Sequence, residues 1–353
     1  MFPMNAWYVA SWADDLCAQP IARRICNEPI VLYRDSQGRA SALVDRCCHR
    51  GAPLSAGRVT GEGLECGYHG LVFARDGECV RVPGQDRPPK TARVRSYPLV
   101  EKDGLVWIWP GDTAAADPEQ VVDYPYHADR ARWPHKHDVY AIRANYMLLI
   151  DNLMDLTHLG YVHGGTIGGD PKTHVEAKME STPTERGLKF TRWMLDSRPP
   201  PTYTKAVQFA GKVDRWQEFE YVAPGAVLQW SGAVDAGLGA YERGHRDGGF
   251  HLRLFHAVTP ETDSSCFYFW SAANGYRQDE PAATEQLFAE ISAAFAQDKA
   301  IVELQQERLA ELGEDGLVNL KADGARLHMR RVVAGMIEAE SIKPESGGAD
   351  ESA

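Results

Sequence analysis

Four residues in two short runs carry the most chemical information in this 353-residue chain: Cys47 and His49 in Cys47-Cys48-His49, and Cys66 and His69 in Cys66-Gly67-Tyr68-His69. The pattern is C-x-H, sixteen intervening residues, then C-x-x-H, so each run offers one thiolate and one imidazole. A Rieske-type [2Fe–2S] centre needs this ligand set, with two Cys on one iron and two His on the other. The histidines raise its potential well above that of an all-Cys cluster. The alternating order lets two similar loops clamp a cluster from opposite sides. A Cys2His2 zinc site uses the same elements, but it normally pairs C-x2–4-C with H-x3–5-H. Cys48, inside the first run, reads as a spare buried thiol rather than a ligand.

A second group of ligating types lies between Asp151 and His163, embedded in an otherwise apolar run. On a helix, Asn152, Asp155 and His158 follow at i, i+3 and i+6 and share a face. His163 comes five positions after His158, so both can reach one ion only if the helix loosens, and Gly160 is the poorest helix former there. A non-haem Fe(II) site with open positions uses two His and one carboxylate. The carboxylate can be sought by burial. Phe288, Ile291, Phe295, Asp298, Val302 and Gln305 follow 3-4 spacing as one stripe, whereas Glu303 and Glu307 lie off it and reach solvent. An unpaired Asp298 in that stripe would be costly to desolvate. Coordination of a cation removes the penalty, and an ion pair with a buried Arg is the alternative.

These residues need elements to hold them. From residue 1 to 112, short apolar runs such as Ile30-Val31-Leu32-Tyr33 and Leu105-Val106-Trp107-Ile108-Trp109 are punctuated by Gly, Pro and Asp, the pattern of an all-β domain. Residues 113–125 read as a linker and 126–343 as a second, α+β domain. That domain has a helix over 146–158, strands within 188–191, 219–230, 250–258 and 266–270, and a long helix over 285–312. Residues 344–353 are polar and read as a disordered tail.

Composition bounds the partners. A net charge of −11 disfavours non-specific binding to nucleic acid or anionic membranes. Seven Cys at irregular spacing do not form a disulfide framework. No signal peptide is read at the N-terminus, and no apolar stretch approaches the roughly 20 residues that span a bilayer. The expectation is a soluble cytoplasmic protein.

Over nearly its whole length the chain resembles terminal oxygenases of the Rieske non-haem iron family, and most closely their O-demethylase and dicamba-type subgroup. The resemblance rests on Met1-Phe2-Pro3 with Asn5 to Ala10, on both Cys/His runs, on Ile150 to His158, and on Thr259-Pro260-Glu261. Respiratory Rieske proteins carry an extra Cys in each loop, where this chain has Ala52 and Tyr68. Cys48 departs from the oxygenases, which usually have Pro there. The resemblance implies a [2Fe–2S] cluster on Cys47, His49, Cys66 and His69, and mononuclear Fe(II) on His158, His163 and Asp298. It implies catalytic roles for Asp155 and Asn152, with Asp155 bridging to the cluster histidine of a neighbouring subunit. It further implies a helix-grip catalytic domain, with an antiparallel sheet around a long C-terminal helix, and a head-to-tail homotrimer.

The implied reaction is O-demethylation of a vanillate-like methoxy-aromatic acid with O2, releasing formaldehyde. Within the same family, ring dihydroxylation and N-demethylation are alternatives. A Rieske electron carrier without oxygenase activity is the alternative of another class. The chain has no dinucleotide-binding Gly fingerprint and no plant-type Cys run. NAD(P)H must therefore be oxidised by a separate reductase or through a ferredoxin. Arg46 and Arg50 flank the first cluster loop and offer a basic rim to an acidic donor, Arg46 the more so if Arg50 is tied up internally. For the aromatic substrate, Phe250, Leu252, Leu254 and His256 share one strand face. His256, Gln229 and Trp270 are the expected binding residues, against the alternative that they are structural polar groups of the sheet.

Overall fold

The computed structural model describes residues 1–17 and 19–342, so the tail expected over 344–353 lies outside the described residues. Three small antiparallel sheets form the N-terminal part. One joins Ile21–Ile25, Glu28–Arg34 and Ala40–Val44, and one joins Tyr8–Trp12, Leu105–Ile108 and Leu99–Lys102. The third is a set of two- and three-residue strands from Arg58 to Arg81. Strands this short leave most of the backbone in loops, which is what two ligand-bearing loops need. The stretch expected to be a linker carries three single turns, Thr113–Ala115, Pro118–Gln120 and Pro125–His127.

The C-terminal part is built on seven antiparallel strands. Their spatial order is His135–Ile142, Ser265–Asn274, Phe250–Thr262, Ala226–Asp235, Val213–Val222, Gly187–Ser197 and Lys178–Thr184. The run expected as one strand over 219–230 is in fact two, because Ala223-Pro224-Gly225 turns the chain between them. Strand alternation gives the sheet two different faces. The outer face puts Phe255, Ala257 and Phe269 against Trp7, Trp12, Trp107 and Trp109 of the N-terminal part. The inner face is covered by the helix Tyr146–Met154 and by the long helix Pro281–Leu312. A final helix, Gly324–Ser341, is tied to the first by Arg330, which donates to Asp151 at 2.6 Å.

The long helix starts with Pro281 in its first turn and stops at Gly313, whose φ of +73° suits a residue without Cβ. Along it Ile291, Phe295, Asp298 and Val302 are buried as expected. Gln305, expected on the same stripe, is exposed, because the buried stripe ends at Val302. Glu303, expected to reach solvent, is instead largely covered and accepts from the Arg143 backbone N–H at 2.9 Å. The two parts of the chain also share backbone bonds. Cys26 N–H donates to Pro260 O at 2.8 Å and Asn27 N–H to Glu261 O at 3.0 Å. No described helix is long and apolar enough to cross a membrane.

Candidate active site

The two Cys/His loops have the same internal geometry. Cys47 N–H donates to Ala52 O at 2.8 Å, and Gly51 N–H returns to Cys47 O at 2.9 Å. In the second loop Cys66 N–H donates to Leu71 O at 2.8 Å, and Gly70 N–H to Cys66 O at 3.1 Å. Gly51 and Gly70 take φ of +74° and +71°, conformations that L residues with a side chain rarely adopt. Cys47 and Cys66 are buried, while the His49 and His69 rings are exposed with centroids 4.5 Å apart. Burial and the neighbouring Cys66 push the Cys47 thiol up to about 11. Two buried thiols beside two exposed imidazoles fit the ligand set of a [2Fe–2S] cluster, and iron would hold both sulfurs as thiolates. Cys48 is exposed rather than buried. The loop turns Cys47 inward and His49 outward, and the residue between them faces solvent. Arg50 is exposed like Arg46, so it is not tied up internally.

The second constellation assembles from two helical elements. The helix over 146–158 is interrupted: it ends at Met154, Asp155 takes φ −115° and ψ 99°, and a single turn Leu156–His158 leads into Leu159–Val162. The break comes at Asp155 and not at Gly160. Its cause is local, since the Asp155 carboxylate accepts from the backbone N–H of Thr157 at 2.9 Å and caps the new turn. Gly160 has a different role. A Cβ there would stand 2.3 Å from Pro171 Cα, so the glycine permits close packing of the segment that carries both histidines.

His158, His163 and Asp298 offer ligand atoms that all lie within 4.8 Å of one another. Asp298 Oδ1 is 3.0 Å from His163 Nε2 and 3.4 Å from His158 Nε2. Such separations suit adjacent ligands around one ion with bonds of about 2.0–2.1 Å. Burial opposes the Asp298 charge, yet the two imidazoles outweigh it and hold the carboxyl down at about 2. Burial likewise opposes a proton on His163, but Asp298 and Gln297 raise it overall. Three groups that compete for one shared proton can be satisfied together by a cation, and the donor set is that of a non-haem Fe(II) site.

Neighbouring contacts fix the rings. His163 Nδ1 lies 2.8 Å from Gln297 Oε1, and His158 Nδ1 lies 2.5 Å from Asp155 O. The Asp155 contact therefore uses its backbone carbonyl, not the side chain as the helical spacing implies. Asn152 Nδ2 donates to Asp298 Oδ1 at 3.0 Å. Such outer contacts set the orientation and basicity of metal ligands.

Beside these ligands lies a narrow cavity, walled by Leu153, Leu156, Phe219, Leu252, Leu254, Ile291 and Phe295. Its polar wall comes from alternate positions of three sheet strands: Gln217, Gln229, Ser231 and His256. His256 Nε2 is 3.1 Å from Gln229 Oε1 and its Nδ1 is 2.7 Å from the Tyr268 hydroxyl. Burial pushes His256 down to about 3, so its imidazole is neutral. Trp270 does not reach the cavity. It is the cross-strand partner of His256, but it packs on Phe288 and Phe295 at 4.8 and 4.9 Å beneath the long helix. Gln217 and Ser231 were not singled out from the sequence. The available signal was alternation, since each is a polar residue two positions from Phe219 or Gln229 on the inward face.

Residues 6–98 match the Rieske [2Fe-2S] domain family, and residues 142–339 match the vanillate O-demethylase oxygenase C-terminal domain. The chain is 38% identical to the iron-sulfur subunit of a toluene-4-sulfonate monooxygenase system from Comamonas testosteroni, over 97% of this chain and 99% of that one. It is also 38% identical to the vanillate O-demethylase oxygenase subunit of Pseudomonas sp. (strain HR199 / DSM 7063), over 96% of each. Dicamba monooxygenase bound to 3,6-dichlorosalicylic acid superposes with a TM-score of 0.90 at 32% identity, covering 97% of this chain and 99% of that one. The form of that enzyme with non-heme iron and dicamba superposes at 0.78, with 31% identity over 96% of this chain and 98% of that one.

Proposed function

The chain belongs to the vanillate O-demethylase-type Rieske oxygenases, and on that footing we propose that it hydroxylates the methyl group of a methoxy-aromatic acid. The observation that carries this reading is the cavity: a largely apolar slot whose lining brings the His158, His163 and Asp298 ligand atoms together with neutral polar groups. A bound cluster supplies electrons one at a time, and a bound mononuclear iron supplies activation of O2.

The chain's own residues then have separate tasks. Cys47, His49, Cys66 and His69 hold the cluster, and His158, His163 and Asp298 hold the iron. Asn152 and Asp155 orient ligands from behind. The apolar wall excludes water and lays the ring flat, and Gln229 and His256 belong to the wall that orients it. Hydroxylation of an O-methyl carbon yields a hemiacetal, which collapses to formaldehyde and a phenol.

The exposed His49 and His69 and the half-buried Asp155 support a head-to-tail trimer, in which His69 of one subunit approaches Asp155 of the next. Electrons come from NAD(P)H in the cytoplasm through a separate reductase or ferredoxin.

A second reading is favoured by the similarity to the toluene-4-sulfonate monooxygenase subunit: hydroxylation of a methyl carbon attached directly to the ring. One experiment separates the readings. Holoenzyme, reductase and NADH are supplied with a panel of methoxybenzoates, methylbenzenesulfonates and N-methyl compounds. Formaldehyde equal to the O2 consumed on the methoxy acids is the expected result. Benzyl alcohols without formaldehyde would support the second reading, and ring diols would overturn both. A pure electron carrier is not in question, because residues 142–339 are an oxygenase domain.

A further inference from the structure

The polar wall of the cavity holds a pair of hydrogen-bond donors that meet no acceptor. Arg192, Gln217, Ser231 and Leu252 form one row across four neighbouring strands, each directly opposite the next. Such a row lies on one face of a sheet, and Gln217, Ser231 and Leu252 all line the cavity. Gln217 is 3% exposed and Ser231 is 1% exposed.

Their orientation follows from their partners. A guanidinium has only donors, so the Gln217 atom 3.3 Å from Arg192 Nη1 is the carbonyl oxygen. The Gln217 NH2 is left over, and among the described residues it has no acceptor. Gln229 Nε2 donates to Ser231 Oγ at 2.7 Å, which leaves the Ser231 hydroxyl proton free to donate.

Two buried cations belong to this face: Arg192, which ends the row, and Arg215, two positions before Gln217 on its strand. Arg192 is 4% exposed and donates to His174 O at 2.6 Å and to Leu156 O at 3.3 Å. Arg215 is 1% exposed, donates to Gly168 O and Ile167 O at 3.4 Å, and sits 5.0 Å from the Tyr203 ring. Neither forms an ion pair among the described residues. The carboxylate that Arg192 feels, that of Asp155, is held by Thr157. A buried charge without a counter-ion is costly, and in a region of low dielectric its field reaches far. No Lys or Arg lines the cavity itself among the described residues, so that field enters through the Gln217 amide.

We propose that Gln217 and Ser231 are the specificity-determining pair for an acidic head group, donating to the carboxylate or sulfonate oxygens of an aromatic substrate, with Arg192 polarising Gln217 from the adjacent strand. The proposal rests on the reading that this cavity takes an aromatic ring. Arg192 also ties down the turn that carries His158, so the test uses Gln217 and Ser231.

Anaerobic holoenzyme is titrated calorimetrically with 4-methoxybenzoate, 4-methoxybenzenesulfonate and the neutral 4-methoxybenzamide. Wild type is expected to bind the anions about tenfold or more tighter than the amide, as for hydrogen bonds to charged groups. Gln217→Leu should lose about tenfold to a hundredfold for the anions and little for the amide. Ser231→Ala should shift the same ratio in a strand position that tolerates it, and Gln217→Glu, whose carboxylate pairs with Arg192, should lose the anions further. Iron content and cluster absorption read alongside show that the site is intact. Equal wild-type affinity for acids and amide, or Gln217→Leu weakening all three alike, would overturn the assignment. Formaldehyde formed as fast from neutral methoxy compounds as from acids would also overturn it while leaving methyl hydroxylation standing. Anion selectivity that Gln217→Leu abolishes, with no methyl oxidation of any compound, would support the assignment and sink the reaction instead.

Discussion

Asp298 is the residue on which the proposed iron site converges, because both imidazoles and Asn152 approach the same carboxylate oxygen. Asp298→Ala should abolish turnover and empty the mononuclear site while the cluster spectrum persists, as metal analysis and absorption on one sample would show. Retained iron and activity would send the search for a carboxylate elsewhere. Asp155 tests a different link. Its backbone carbonyl meets His158 and its side chain caps a turn, and Asn can do both. Asp155→Asn therefore removes little but charge, and both metals should stay bound. If that charge couples subunits of the proposed trimer, reoxidation of the reduced cluster by substrate and O2 should slow by about 10- to 100-fold or more. Wild-type single-turnover rates would reduce Asp155 to a cap.

At the scale of elements, the ligand-bearing segment matters more than any one side chain on it. It is a broken helix held by close packing, and Gly160 is where that packing leaves no room. Gly160→Ala forces the segment from Pro171, with a destabilisation of about 1–3 kcal/mol typical of overpacking. Mononuclear iron should be lost or loosened while the cluster remains, and a thermal melt with iron analysis would read both effects. The first cluster loop has its own exposed rim. Arg46 and Arg50 stand beside it on a chain of net charge −11. Arg46→Glu should weaken reductase-driven turnover most at low salt while dithionite still reduces the cluster. Kinetics unchanged across ionic strength would remove this loop from the docking surface.

Across the whole molecule, burial stores a dependence on pH. His127, His174 and His256 are pushed down to about 3, about 4 and about 3 by burial. In the unfolded chain each takes a proton near pH 6.5 that the folded chain refuses until far lower. Stability from these groups is therefore whole above about pH 6.5 and falls as pH drops toward about 4, by up to about 1.4 kcal/mol per unit for each histidine. Urea midpoints should drop sharply between pH 7.5 and 5. A flat profile would mean that the three rings are solvated. The tryptophan-rich contact between the N-terminal part and the sheet joins the halves, so one cooperative transition is expected rather than two.

Both groups of ligand-type residues that the structure brings together were legible in the sequence, because the proposed iron ligation is a matter of residue type and short spacing. Cys47 with His49, Cys66 with His69, and His158 with His163 are each local pairs. Asp298 could be picked because a carboxylate inside an apolar stripe breaks a rule that burial enforces. What only the tertiary structure decided lies in contacts between distant segments and in the direction each loop residue faces. Cys48 proved exposed because, of the three residues in its run, the loop turns only Cys47 inward. The helix broke at Asp155 because a side chain could cap a new turn there. Trp270 proved a packing residue, whereas Gln217 and Ser231 reached the cavity, and nothing in their local sequence separates the three. The rows that join Arg192, Gln217 and Ser231 depend on strand register. A shift of one residue would turn every one of these side chains to the other face, so register, a property of the assembled sheet, is what makes a polar residue part of a site.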